Sequence, residues 1–190
     1  MKTKNEIFID LLPLKTKRLI IRKVSTDDVD LMLKMDKQEN TQKYLGGVKR
    51  KTFEERIAFL EKKASKFNEG YASQLTVCLS DGTPIGFTGL SIHENDSNAE
   101  ISYLFDSDYT GKGYCTESSK ELIRVGFEEL KLHKIYGDTI DGNISSIKVF
   151  EKLGFTLEGT RRESAYLKEE DTYKDFLDYG LLDKEFKIKS

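Results

Sequence analysis

The stretch Asp108-Tyr-Thr-Gly-Lys-Gly-Tyr-Cys-Thr-Glu117 lies between two segments of different hydrophobic period, and its reading decides the fold. Before it, residues 99–105 read as a strand. Behind it, Ser119, Leu122, Ile123, Gly126, Phe127 and Leu130 recur at three- and four-residue steps, the inner face of a helix over about residues 116–130. Gly111 and Gly113 let the backbone turn sharply and approach a ligand closely. The free N–H groups and dipole of the helix that follows favour an anion at its start, and a phosphate or diphosphate is the natural guest. A tight turn with no ligand uses the same residues. Two nucleotide motifs fail on spacing. A P-loop needs glycine where Asp106 stands and Ser or Thr where Gly113 stands, and a dinucleotide fingerprint needs a third glycine at Thr116.

Upstream, residues 72–79 and 85–92 read as strands joined by an Asp81-Gly82 hairpin turn, and residues 94–98 turn the chain into the strand over 99–105. This is an antiparallel meander. Earlier still, residues 17–24 read as a first strand, and Ser25 with Asp28 opens a helix. Thr52 with Glu55 makes a clearer capping box, followed by the stripe Phe53, Ile57, Leu60, Ala64 and Phe67 and closed by Asn68 and Gly70. Downstream, residues 134–139 read as a short strand. Asp141-Gly142-Asn143 turns into a helix that ends at Gly154, a good residue just past a helix end. Residues 155–158 and 175–182 read as late strands, with 165–167 a hairpin partner. The expected fold is α+β or mixed α/β, with one central sheet and helices on both faces, in a single domain over residues 1–190 with its core at about 14–186.

Composition narrows the function. Of 190 residues, 34% are charged and 37% hydrophobic, and 31 basic against 33 acidic side chains give a net charge of −2. That balance argues against a general binder of phosphate backbones, so no nucleic-acid partner is expected. Residues 1–17 contain no signal-type apolar core and no stretch approaches a membrane span, so no membrane partner is expected either. Cys78 and Cys115 cannot make a disulfide framework. With only two histidines, His93 and His133, no metal site is expected. These readings together place the chain in the cytoplasm as a soluble, reduced protein. Lys2, Lys4, Lys187 and Lys189 read as solvated ends.

A second landmark follows the loop, Asn143-Ile-Ser-Ser-Ile-Lys-Val-Phe-Glu-Lys-Leu-Gly-Phe155. Together the two resemble the GNAT superfamily of N-acetyltransferases. The wording is similar to its RimJ/RimL-like ribosomal-protein acetyltransferase branch, through Thr16-Lys-Arg-Leu-Ile-Ile-Arg22, Ala99-Glu-Ile-Ser-Tyr103 and Glu158-Gly-Thr-Arg-Arg-Glu163. The resemblance spans roughly residues 14–186. It implies a mostly antiparallel twisted sheet whose middle strands splay around acetyl-CoA, a co-substrate. The family's phosphate loop falls on Thr110, Gly113 and Cys115, where Thr110 departs from the usual Gln or Arg and Cys115 from Gly or Ala. Backbone N–H groups of Gly111, Lys112, Gly113, Tyr114, Cys115 and Thr116 would hold the diphosphate. The strand edge at Tyr103, Leu104 and Phe105 would pair with the pantetheine arm, with Asn143 bonded to it and Phe150 and Lys152 flanking it.

Amide formation from a thioester needs a base for the amine, a donor for the oxyanion and a proton for the leaving thiolate. Glu100 is the expected base, directly or through water; the same residue also reads as a solvated strand Glu paired with a Lys. A backbone N–H at a Leu104/Phe105 bulge is the expected oxyanion donor. The superfamily often places a Tyr acid where this chain has Phe150, which cannot donate, so Ser146 stands in, a residue that equally suits a helix cap. Glu163, Tyr166, Tyr173, Asp175 and Tyr179 would line the acceptor side and attract a cationic amine, or else mark a solvated hairpin. Cys115, beside a helix N-terminus, is open to a lowered pKa. The expected activity is acetyl transfer to a primary amine of a protein N-terminus, polyamine, amino sugar or small molecule. The other readings are a non-catalytic acyl-CoA-binding module and a nucleotide-binding protein. An exposed late strand leaves homodimer pairing open.

Overall fold

The computed structural model describes residues 2–45, 51–71 and 74–186. It begins with a helix outside the expected element order, α1 (Lys4–Asp10), opened by a reciprocal capping box between Thr3 and Glu6. Glu94 accepts the Lys4 and Asn5 N–H groups and pins this helix to the meander, while Phe8 is wholly buried. β1 (Leu14–Lys15) and β2 (Leu19–Lys23) follow. A short 3-10 turn (Thr26–Asp28) then runs into α2 (Val29–Met35), with the Asp28 carboxylate accepting the Ser25 N–H as the capping pattern predicts. A further helix, α3 (Glu39–Tyr44), precedes α4 (Phe53–Asn68), whose Thr52–Glu55 capping box forms in both directions.

The meander forms as read, with β3 (Leu75–Leu79), β4 (Pro84–His93) and β5 (Asn98–Phe105). Residues 72–73 of the expected first strand lie outside the described residues, as do Lys187 and Lys189. α5 (Tyr114–Glu128) starts two residues earlier than its apolar stripe indicates, because Gly113 already serves as its cap. β6 (Lys134–Ile140) and α6 (Ile144–Leu153) match the pattern, and Gly154 closes α6 at φ +85°. The late strands need correction. Residues 155–158 and 165–167 belong largely to one long strand, β7 (Thr156–Leu167), which pairs with β8 (Thr172–Leu182) through irregular register between Arg161 and Ala165.

The eight strands form one sheet in the order β1-β2-β3-β4-β5-β6-β8-β7, antiparallel except where β5 meets β6. That one parallel contact is brief. Asn98 pairs with Lys134, Ala99 with Ile135 and Glu100 with Tyr136, and there the ladder stops. Beyond it β5 stays with β4 as far as Phe105, while β6 stays with β8 as far as Ile140. A fork therefore opens in mid-sheet at Glu100.

Two glycines and an aromatic wedge hold the fork. A Cβ on Gly86 would sit 2.7 Å from the Leu104 carbonyl oxygen, so only glycine lets β4 keep the end of β5. A Cβ on Gly137 would sit 3.0 Å from both the Ile101 carbonyl oxygen and the Phe150 ring, which fills the space beside β6. Phe150 stacks on Tyr179 at 4.8 Å and meets Tyr103 at 5.8 Å between ring centres. Helices cover both faces, as successive β5 residues show. Tyr103 turns its hydroxyl to Ser146 on α6, while Leu104 lines a groove with Met32 of α2 and Phe59 of α4.

Candidate active site

The loop between β5 and α5 is anchored at both ends. Asp106, 2% exposed, accepts from Lys34 Nζ at 2.6 Å and Gln38 Nε2 at 2.7 Å, and Gln38 Oε1 accepts the Ser107 N–H. Burial pushes the Asp106 carboxyl up, but these donors outweigh it and hold the pKa below the ordinary value. At the far end Glu117 accepts from Thr16 Oγ1 at 2.6 Å, from the Arg18 N–H at 3.0 Å and from Arg18 Nε at 2.6 Å. The Arg18 guanidinium in turn donates to the Lys112 carbonyl at 3.1 Å and lies 4.4 Å over the Tyr114 ring. Arg18 is a residue that sequence reasoning placed only in a strand motif. Its partner is 99 positions away.

Between these anchors the backbone is arranged for an anion. Gly111 and Gly113 take φ of +74° and +80°, left-handed values that L side chains rarely adopt. The first α5 hydrogen bond runs from the Glu117 N–H to the Gly113 carbonyl. Among the described residues, the six N–H groups of residues 111–116 have no protein acceptor. Nothing stands within 4 Å of where a Cβ on Gly111 would be, so the space over the loop is open. Unpaired donors at a helix start, with this room above them, fit a diphosphate. Lys112 Nζ folds back to the Asp108 carbonyl at 2.9 Å and lies over Tyr109.

Glu117 gives a pH prediction. Burial pushes its carboxyl up, but hydrogen bonds from Thr16 and Arg18 outweigh this and leave its pKa below the ordinary 4.5. Its contribution is full above that value and is lost as pH falls through the lower folded-state value. Urea unfolding of Glu117→Gln is expected to show a loss of about 1–2 kcal/mol at pH 7, narrowing as pH is lowered toward 4 and below. A gap that widens on acidification would contradict the anchoring role.

The Cys115 thiol is raised rather than lowered, in keeping with the absence of a matched His. Desolvation by burial pushes its pKa up to about 12, overriding the helix terminus, so at pH 7 it is a small neutral side chain. Cys78 is buried, Cys115 half-buried, and the Cys78 thiol is raised as well.

At the fork, Tyr103 Oη and Ser146 Oγ are 2.9 Å apart, and burial pushes the Tyr103 pKa up, keeping the phenol protonated. Asn143 caps α6. Its Oδ1 accepts from the Ser146 N–H at 3.3 Å and Ser145 Oγ at 2.8 Å, leaving its amide N–H groups without an acceptor among the described residues. Phe150, 1% exposed, lies beneath Tyr103 rather than flanking open space. Lys152 is exposed on the last turn of α6. The bulge expected at Leu104/Phe105 is absent, because β4 and β5 keep unbroken register to Gly86–Phe105. The groups available to an oxyanion are instead the edge N–H groups of β5 that the fork frees.

Glu100 sits at the fork's apex, exposed, opposite Ser91 on β4 and Tyr136 on β6. It makes no hydrogen bond or ion pair among the described residues. Lys134 in the same cleft pairs with Glu158 at 2.6 Å. This cleft, about 390 Å³, is also lined by Asp138, Arg161 and Asp178, and Arg161 pairs with both aspartates. Of the five residues expected on the acceptor side, only Tyr179 lines it. Tyr166 and Tyr173 meet at 5.1 Å between ring centres, tilted by 48°, near the hairpin tip, and Asp175 accepts the Glu163 N–H. His93 meets Tyr136 Oη at 3.1 Å, and His133 is exposed near Asp183. A second groove, about 510 Å³, opens along β4 and β5 beneath α2 and α4. The described residues hold no cluster of metal-ligating side chains and no helix long and apolar enough to cross a membrane.

A forked sheet with unpaired N–H groups at one end and an exposed carboxylate at its apex leaves room for a long ligand with an anionic end. The chain belongs to the GNAT family. The family model described as "Acetyltransferase (GNAT) domain" matches residues 18–156. The chain is 32% identical over 147 residues to the uncharacterized N-acetyltransferase YnaD of Bacillus subtilis, covering 76% of this chain and 82% of that one. It is 34% identical over 80 residues to the spermidine N(1)-acetyltransferase of Escherichia coli, covering 42% of this chain and 43% of that one. Among solved structures, a GNAT-family acetyltransferase from Bacillus anthracis superposes with a TM-score of 0.78 at 25% identity, over 90% of this chain and 99% of that one. The chain is an N-acetyltransferase.

Proposed function

We propose that this enzyme moves the acetyl group of acetyl-CoA to a primary amine by direct attack on the thioester. The observation that carries the reading is the coincidence, in one fork, of the unpaired N–H cradle with the partnerless Glu100 carboxylate. Acetyl-CoA, when bound, supplies an acetyl carbonyl activated as a thioester and a thiolate leaving group. Residues 111–116 hold the diphosphate through backbone N–H groups. The β5 edge at Tyr103, Leu104 and Phe105, with the free Asn143 amide, orients the arm along the fork. Glu100 takes the proton of the attacking amine, directly or through one water, since an ammonium has no lone pair to attack with. An edge N–H of β5 stabilises the developing oxyanion. As the C–S bond breaks, Ser146 passes a proton to the departing sulfur and is reprotonated through water by the proton that the tetrahedral nitrogen sheds, while the protonated Tyr103 holds its hydroxyl in place. Phe150 positions Tyr103 from beneath.

We take residues 1–190 as a single acetyltransferase domain with its core at about 14–186. Its motifs resemble the RimJ/RimL-like branch, which makes a protein N-terminus one acceptor candidate beside polyamines, amino sugars and small amines. Two unpaired cysteines suit a reducing, cytoplasmic compartment. The test is release of CoA thiol from acetyl-CoA across a panel of these amines. Turnover with at least one primary amine is expected. Binding of acetyl-CoA with no turnover across the panel would leave a non-catalytic module.

A further inference from the structure

The groove beneath α2 and α4 leads away from the fork. Glu100, Ser102 and Leu104 alternate onto this face of β5, and Ser91, opposite Glu100, lines the groove with Ser102 and Leu104. Its walls are apolar, from Met32, Met35, Phe59, Phe87 and Leu104. Its one lining carboxylate among the described residues, Asp36, is taken by the buried guanidinium of Arg56, whose Nε donates to Oδ2 at 2.6 Å. The cations at the other end are different. Lys51 and Lys63 place their ammonium groups 5.8 and 5.5 Å from the centre of the same Phe59 ring. Neither has a carboxylate partner among the described residues. Two like charges gathered around one aromatic ring repel each other, and an anion between them would relieve this.

We propose that the acceptor is a primary amine whose apolar body ends in an anionic group, the amine at Glu100 and the anion at Lys51 and Lys63. This deepens the proposed function and rests on it. A polyamine in the same groove would set a second ammonium against two lysines, with no free acid among the described lining residues to receive it. Carboxylate and phosphate ends share the required charge, and the experiment separates them.

Four acceptors of equal reach give the test: 6-aminohexanoate, 6-aminohexyl phosphate, 6-aminohexanamide and 1,6-diaminohexane. They are compared by kcat/KM with acetyl-CoA and, without acetyl-CoA, by their dissociation constants in calorimetry. For wild type the better of the two anionic compounds is expected to exceed the amide about five- to thirty-fold, the range of two partly exposed ion pairs. The diamine is expected last, and the advantage should shrink as salt is raised. In the double variant Lys51→Glu/Lys63→Glu, at surface positions, the diamine is expected to overtake the anionic compounds. A wild-type preference for the diamine, or an order unmoved by the double variant, would overturn the proposal. If no compound is acetylated, the proposed transfer at this site fails, while the binding order still decides for or against the anionic acceptor.

Discussion

Replacing Glu100 with Gln is expected to lower kcat/KM for acetyl transfer about 100- to 10,000-fold, the range for loss of a general base. The substitution keeps the side chain's size and removes only its ability to take a proton. Glu100 is exposed and has no hydrogen bond or ion pair among the described residues, so stability is expected to change by less than about 0.5 kcal/mol. Acetyl-CoA affinity is expected to stay within about twofold, because the cradle at residues 111–116 begins eleven positions further along the chain, beyond the anchored Asp106. Steady-state kinetics across an amine series, with thermal unfolding of the same preparations, reads both effects. Undiminished transfer by Glu100→Gln would move the base elsewhere. The neighbouring carboxylates Asp138, Glu158 and Asp178 are already held by Arg161 and Lys134 and are poor replacements.

Gly113→Val is expected to weaken acetyl-CoA binding by about 100-fold or more. Steric contact is not the reason, since a Cβ here would meet only Arg18 Nη2, at an ordinary 3.5 Å. The reason lies in the backbone. Gly113 caps α5 at φ +80°, a conformation that costs an L residue about 1–2 kcal/mol and suits a β-branched one least. Relaxing that strain turns the first N–H groups of α5 away from one another. Each charge-assisted hydrogen bond lost to a diphosphate is worth about 1.5–3 kcal/mol, so misplacing two suffices for the effect. Calorimetric titration reads it directly. The Arg18–Glu117 and Lys34–Asp106 anchors on either side keep the loop's ends in place, so the fold is expected to survive.

The same loop explains what the sequence made legible. Its glycines, the change of period around it and the Asn143 turn are local signals, and the strands and helices they imply formed nearly where expected. The anchors were not legible. Arg18 reaches Glu117 across 99 positions and Lys34 reaches Asp106 across 72, and no spacing rule encodes such pairings. The fork depends on β5 and β6 parting after three paired residues, a property of tertiary register that only the resemblance to a family implied. β7 was read in pieces because most of its residues are exposed, so burial imposes no alternation for a period-two reading to find. α1 did leave a signal in the Thr3–Glu6 capping box, masked by the short apolar run after it. Cys115 has the setting of an activated thiol along the chain, yet burial raises its pKa, and Phe150 is packed beneath the site rather than beside it.

Thermal unfolding of the protein with acetyl-CoA, and separately with ATP and NAD, tests the central claim most directly. Ligand at about 100 times its dissociation constant adds roughly 2.7 kcal/mol to the folded state, which for a chain of this size raises the midpoint by several degrees. The fork and cradle predict that rise for acetyl-CoA and no comparable rise for ATP or NAD. An unmoved midpoint at saturating acetyl-CoA, or a rise confined to the nucleotides, would contradict it.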